Sequence, residues 1–435
     1  MGSAAQTGAR DSHRWMVFGT LSAIYLLVYF HRVSPSVIAQ DLLAEFQTQA
    51  AGLGLMSSMY FYLYAVEQPV VGYLSDRLGP RRVIGLWSLT AAAGCLLFAL
   101  APSIGWASAG RALIGFGVGG VFIPGIKAFS QWFRQRDFST LTGFFLAAGN
   151  LGGIMATTPF AWAVEQWGWR SSYLGLGAIT LGLAAATLWG LRDCPAPADE
   201  PEPSPRSPDG PRSLGTWKAT RQVVASSRFW ILFSIFFGGF GAYATLQGLW
   251  ATPFLMSTLG SDRVEASVLN MLMPAGFILG APCFGRVVDK VGANRVHLLI
   301  GIMVTESLLW VGLVLGGTTW GREGLGVLFF IMGGITGGLA TTFWSLVRQA
   351  TPSPILGLTT GLLNPSAFLG SALLQVWTGV ILDHWAQTDG LYPPEAYRSA
   401  LWICLAATAL PTALASCLRK RLAPYSPSPS GKDSR

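Results

Sequence analysis

Gly72-Tyr-Leu-Ser-Asp76-Arg77-Leu-Gly79-Pro-Arg-Arg82-Val83 returns 213 residues later as Gly285-Arg-Val-Val-Asp289-Lys290-Val-Gly292-Ala-Asn-Arg295-Val296. The repeat is not isolated. Thr142-Gly143 with Gly152 is echoed by Thr360-Gly361 with Gly370, and Trp169-Arg170-Ser171 by Tyr397-Arg398-Ser399. Three echoes in one order imply two homologous units, with a ligand site expected between them.

Around these motifs the chain is poor in polar residues. Of 435 residues, 51% are hydrophobic and 11% charged, against about 25% charged in an average soluble domain. That excludes a soluble enzyme of several domains, because too little polar surface remains to cover a globule. Runs of about 20 mostly apolar residues fall at about 15–36, 51–74, 83–101, 108–130, 139–163 and 171–191, and again at about 229–256, 266–287, 296–316, 324–347, 358–383 and 398–418. The first run is too long for the core of a cleaved signal peptide and reads as a retained span. Lipid satisfies no stray backbone groups, so the runs are predicted to be helices. The expected fold is an all-α integral membrane protein of twelve transmembrane helices in two pseudo-symmetric six-helix bundles, residues 1–191 and 229–420. Between them a stretch with seven prolines, 192–228, reads as a solvated and largely disordered linker, and 421–435 as a tail of the same kind.

The net charge of +8 does not point to nucleic acid, because the basic residues sit in the connections. Of 29 Lys and Arg, 22 fall on the side of the termini and linker and four (Arg170, Arg263, Arg322, Arg398) on the other. That bias predicts cytoplasmic termini. Five scattered cysteines and four histidines suggest neither a disulfide framework nor a metal site, and no cofactor is expected. No Ser-His-Asp arrangement or phosphate-binding loop is present, so an enzyme is not expected.

Gly72-x-Leu-Ser-Asp76-Arg77-x-Gly79-x-Arg81-Arg82 resembles the signature between helices 2 and 3 of the major facilitator superfamily, and the resemblance covers essentially the whole chain. Physically, Gly72 and Gly79 permit close helix approach and a tight turn. Asp76 can meet a helix N-terminus or an arginine across the interface. Gly285, Asp289 and Arg295 repeat the arrangement, and both copies are read as gating motifs.

Ionisable groups inside spans cost about 2.5–3.5 kcal/mol each on insertion scales. Arg32, Glu67, Arg111, Lys127 and Glu306 are the five clear ones, away from the span ends. Three cations against two anions call for an anionic cargo, or the carboxylate end of a zwitterion. Tyr29-Phe-His31-Arg32 and the glycine-rich Arg111 segment resemble the first and fourth helices of the anion-cation symporter branch, in which the first-helix arginine binds carboxylate or phosphate. His31 stands where that branch carries an acid, and Val118 where a proton-binding acid follows Arg111. Lys127 either holds cargo or pairs with Glu67. Glu67 and His31 are the proton-coupling candidates, and Glu306 reads as a buried, hydrogen-bonded acid. In the superfamily helices 1, 4, 7 and 10 line the cavity, so Tyr243, Gln247 and Trp250, on one face of span 7 ahead of Pro253, join the candidate set. Asn150 and Asn364 either bind cargo or brace bent helices.

The expectation is a secondary transporter of a small organic anion or zwitterion, working by alternating access with a coupled proton, monomeric, in contact with membrane lipid of a bacterial inner membrane. An exporter of hydrophobic compounds, a carrier of a neutral metabolite, and a non-transporting receptor or scaffold stay open as alternatives.

Overall fold

Long apolar runs broken by proline and glycine dictate the architecture, and a computed structural model describes residues 2–193, 216–291, 294–352, 355–387 and 391–422. The described residues are helical, with no strand among them. The first bundle comprises α1 (Gly2–Val33), α2 (Pro35–Glu45), α3 (Ala50–Leu78), α4 (Pro80–Ala99), α5 (Ile104–Gly119), α6 (Phe122–Trp132), α7 (Gln135–Met155) and α8 (Thr158–Ala185). α9 (Thr216–Ala225) leads into the second bundle: α10 (Ser227–Thr245), α11 (Ala251–Leu259), α12 (Arg263–Val291), α13 (Arg295–Gly316), α14 (Arg322–Ala350), α15 (Leu356–Leu363), α16 (Pro365–Leu382) and α17 (Pro394–Cys417). Of the stretch expected to be disordered, residues 194–215 lie outside the described residues, as do Gly292 and 423–435. Thr216–Ala225 is a helix instead.

Ten helical segments are long and apolar enough to cross a membrane. The expected spans 2 and 5 fall short by that measure for local reasons. α3 carries Glu67 and Gln68 mid-helix and Asp76 and Arg77 at its end, and the apolar part of α7 is only Thr140–Met155. Both run against long neighbours, α3 beside α5 and α16, α7 beside α1, and bring the four qualifying segments of the first half to six, matching the six of the second.

Several spans are interrupted where sequence chemistry demands it. Pro35 starts α2 after a turn at Ser34, α5 and α6 part at Gly120–Val121, and Asn364–Pro365 separates α15 from α16. In span 7 a π turn, Leu246–Trp250, precedes Pro253. Gly79 has φ +83°, a left-handed value that only glycine adopts cheaply, and turns α3 into α4. Asp193 then accepts the backbone N–H of Arg81 at 2.7 Å, supplying the cap that the first turn of α4 lacks.

The bundles are fastened together in the half away from the termini. Arg263 pairs with Asp41 at 2.7 Å. The carboxylate of Asp383, at the end of α16, accepts the N–H groups of Ala50 (2.6 Å) and Ala51 (2.9 Å), so one bundle caps the first turn of α3 in the other. Tyr392 donates to the same carboxylate at 2.9 Å and accepts from Ala50 at 3.0 Å. Deeper in, Ser36, Thr252 and Asn270 form a fully buried cluster across the seam, with contacts of 3.1–3.3 Å. Where α3 and α16 cross, a Cβ on Gly54 would meet the backbone oxygen of Gln375, and one on Gly379 that of Ala50. At the end that carries the termini, Asp76 is 76% exposed and its partner Lys127 belongs to the same bundle.

Candidate functional site

The break that Pro35 imposes on span 1 sets Arg32 at the junction of the bundles. Arg32 is 6% exposed, and no carboxylate pairs with it among the described residues. Its guanidinium lies 4.4 Å from the ring centre of Tyr29, 5.9 Å from Tyr64 and 5.2 Å from Phe368 of the second bundle. Tyr64 and Phe368 pack against each other at 4.4 Å across the seam. An aromatic cage favours a cation electrostatically; the Tyr60 hydroxyl also stands against the guanidinium, and Nε is without a partner.

Arg111 stands one layer behind, wholly enclosed. Its Nη1 donates to the carbonyl of His31 at 2.8 Å, and the guanidinium lies 4.9 Å from the centre of the Tyr60 ring. The arginine expected to meet the cargo is thus enclosed by protein, with Nε and Nη2 buried and without partners. His31 is equally enclosed, its Nε2 3.6 Å from Cys95 Sγ.

Glu67 is buried and accepts the indole N–H of Trp87 at 2.7 Å, while its other oxygen has no partner and abuts Gly119. The pairing of Lys127 with Glu67 does not form. Lys127 donates to Asp76 at 2.7 Å and to the Ser75 carbonyl at 2.8 Å. The reason is axial register: α5–α6 runs parallel to α3 with Gly119 level with Glu67, so a residue eight positions on sits about 12 Å further along, level with Ser75 and Asp76. Glu306 does accept a hydrogen bond, from Thr336 at 3.3 Å.

On span 7, Tyr243 is buried against Phe240 and Phe277, and Gln247 is buried, its backbone carbonyl accepting the side-chain amide of Asn270 at 3.2 Å. Trp250 leaves the face expected of it. Its indole donates to Thr378 at 2.8 Å in the interior of the second bundle, because the π turn inserts a residue and rotates the chain beyond it by about 100°. Asn150 donates to its own helix, to Leu146 at 3.0 Å. Asn364 sits half-buried at the hinge of α15 and α16.

Of the motif residues, Gly72 has open space where a Cβ would stand, and Arg77 lies over Tyr73 at 4.6 Å. Arg82 and Asp289 are exposed, while Gly285 and Arg295 are half-buried. Phe368, Tyr64, Asp383 and the Asp41–Arg263 pair went unread in the sequence. Only Tyr60 and Tyr64, four apart in one span, offered a signal.

The family model of the Major Facilitator Superfamily matches residues 21–374. The chain is 25% identical over 309 residues to a probable sulfoacetate transporter of Cupriavidus necator, with 70% of this chain and 71% of that protein covered. To the hexuronate transporter of Escherichia coli K12 it is 22% identical, with 85% and 88% covered. Its fold matches a bacterial homologue of the human lysosomal transporter Spinster in an inward-facing, occupied conformation, with a TM-score of 0.77 at 18% identity and 96% and 99% of the chains covered. Duplicated motifs, paired six-helix bundles and a family match over most of the length lead to one conclusion: this integral membrane protein belongs to the major facilitator superfamily.

Proposed function

We propose that the protein carries a small organic anion across the membrane by alternating access, with Arg32 as the anchor for its negative end. One observation carries the reading: a guanidinium nearly stripped of water, with no carboxylate beside it. Such a charge is costly unless paired, and a carboxylate or sulfonate supplies the pairing bidentately. The names of the relatives, transporters of sulfoacetate and hexuronate, agree with that chemistry. With the termini cytoplasmic, as the basic residues argue, the fastened half is the outer one and the cargo enters or leaves toward the cytoplasm. We read the chain as a monomer in a bacterial inner membrane.

Glu67 is our candidate for the coupled proton. It is a buried carboxylate whose neighbours are Trp87, Gln68 and Gly119, and Lys127 is engaged elsewhere. Counterflow in proteoliposomes tests the cargo: sulfoacetate or galacturonate exchange and neutral galactose does not, and Arg32→Gln abolishes exchange. Galactose exchange equal to that of the anions would refute the reading. For coupling, Glu67→Gln is expected to keep counterflow but lose acceleration by an inward proton gradient; retained acceleration removes Glu67 from that role.

A further inference from the structure

We propose that Arg111 is a positioning residue that holds the break in span 1 and so aims Arg32, without touching the cargo; the proposal rests on the anion reading of Arg32. Proline has no N–H, so the carbonyl four residues before it loses its helical donor. For Pro35 that carbonyl belongs to His31, and it is the one to which Arg111 Nη1 donates at 2.8 Å. Arg111 thus replaces the missing backbone donor at the residue preceding Arg32.

Other side chains secure the same few residues of backbone. Tyr60, whose ring underlies the Arg111 guanidinium, donates its hydroxyl to the Val28 carbonyl at 2.9 Å. Tyr173 stands beside Arg111 and shares a 2.7 Å hydrogen bond with Ser34 Oγ. Cys95 meets the His31 ring. Residues of α3, α4, α5 and α8 therefore grip positions 28, 31 and 34, and Arg32 projects from the gripped segment on the side facing Tyr29, Tyr64 and Phe368. Arg111 has no accessible surface, with Tyr60 and Tyr173 against its guanidinium.

A cargo ligand and a positioning residue differ in how their loss depends on cargo charge. Sulfoacetate is a dianion and galacturonate a monoanion, so losing one of two direct charge contacts would weaken the dianion more. For Arg111→Leu in proteoliposomes, the counterflow KM of both is expected to rise by one common factor, about tenfold. Adding Pro35→Ala, which returns a backbone N–H to the His31 carbonyl, is expected to recover part of that loss. Arg111→Lys keeps a charge and a donor but loses the planar fork, and is expected to stay within about threefold of wild type. If transport is too weak to measure, protection against thermal unfolding by the same two compounds gives the affinities. A changed sulfoacetate-to-galacturonate ratio in Arg111→Leu, or a lysine variant as weak as the leucine variant, overturns the proposal. Unchanged affinity in Arg32→Gln would instead remove the anion reading of Arg32 while the Arg111 measurements still stood on their own.

Discussion

Replacing Asp383 by Asn should loosen the seal at the end away from the termini. In the sealed state one carboxylate receives two backbone N–H groups of the first turn of α3 and the hydroxyl of Tyr392. A hydrogen bond to a charged group contributes about 1.5–3 kcal/mol, and a negative charge at a helix N-terminus about 0.3–1 kcal/mol. The amide keeps one acceptor and loses the charge, and the site is half-exposed. The net loss is about 2 kcal/mol, which multiplies the ratio of molecules open at this end to sealed ones about thirtyfold. An open population of about one per cent becomes about one in four. Ala44 and Ala386 are exposed and line opposite walls of the cavity of about 540 Å³ at this mouth. Spin labels at both, placed by Cys substitution in a cysteine-free background, should report a longer-distance component in Asp383→Asn. An unchanged distance distribution in a folded, lipid-reconstituted variant would refute the reasoning.

Gly79→Ala places a side chain at φ +83° and against the Asp193 carboxylate. A loss of at least about 1 kcal/mol should lower the thermal unfolding midpoint in detergent, and an unchanged midpoint would count against the turn geometry. Lys127→Gln removes a solvent-accessible pair and should change stability by less than about 1 kcal/mol. For Asp41, burial outweighs the attraction of Arg263 and raises its carboxyl above the usual 3.8. Because the folded protein holds that proton more tightly, the contribution is full below about pH 4 and fades as pH rises through the folded value. Asp41→Asn should flatten the slope of stability with pH just above 4, and an unchanged slope would contradict this.

Much of the fold was legible because each signal was local and repeated. Apolar runs set the spans, and the duplicated Gly-Asp-Arg motif set the pairing of halves. The unpaired cation at Arg32 was legible for the same reason, since span 1 contains no acid to answer it. Phase and partner choice escaped. Lys127 looked level with Glu67 until the parallel register of α3 and α6 placed it at Ser75 and Asp76. Trp250 shared a helical face with Gln247 only on the assumption of uniform 3.6-residue turns, which the π turn breaks. A proline at position 35 strands the carbonyl of His31 by its chemistry alone. Only tertiary packing told that the arginine of the fourth span would come to meet it.

Where α3 crosses α16, the contact is main chain on main chain at Gly54 and Gly379, with no rotamer available to give way. Two ribbons that touch without side chains have one depth of engagement, so partial separation gains nothing until water can enter. This door should therefore snap between shut and open, and the time the carrier spends half-ajar, with ions free to leak, should be short.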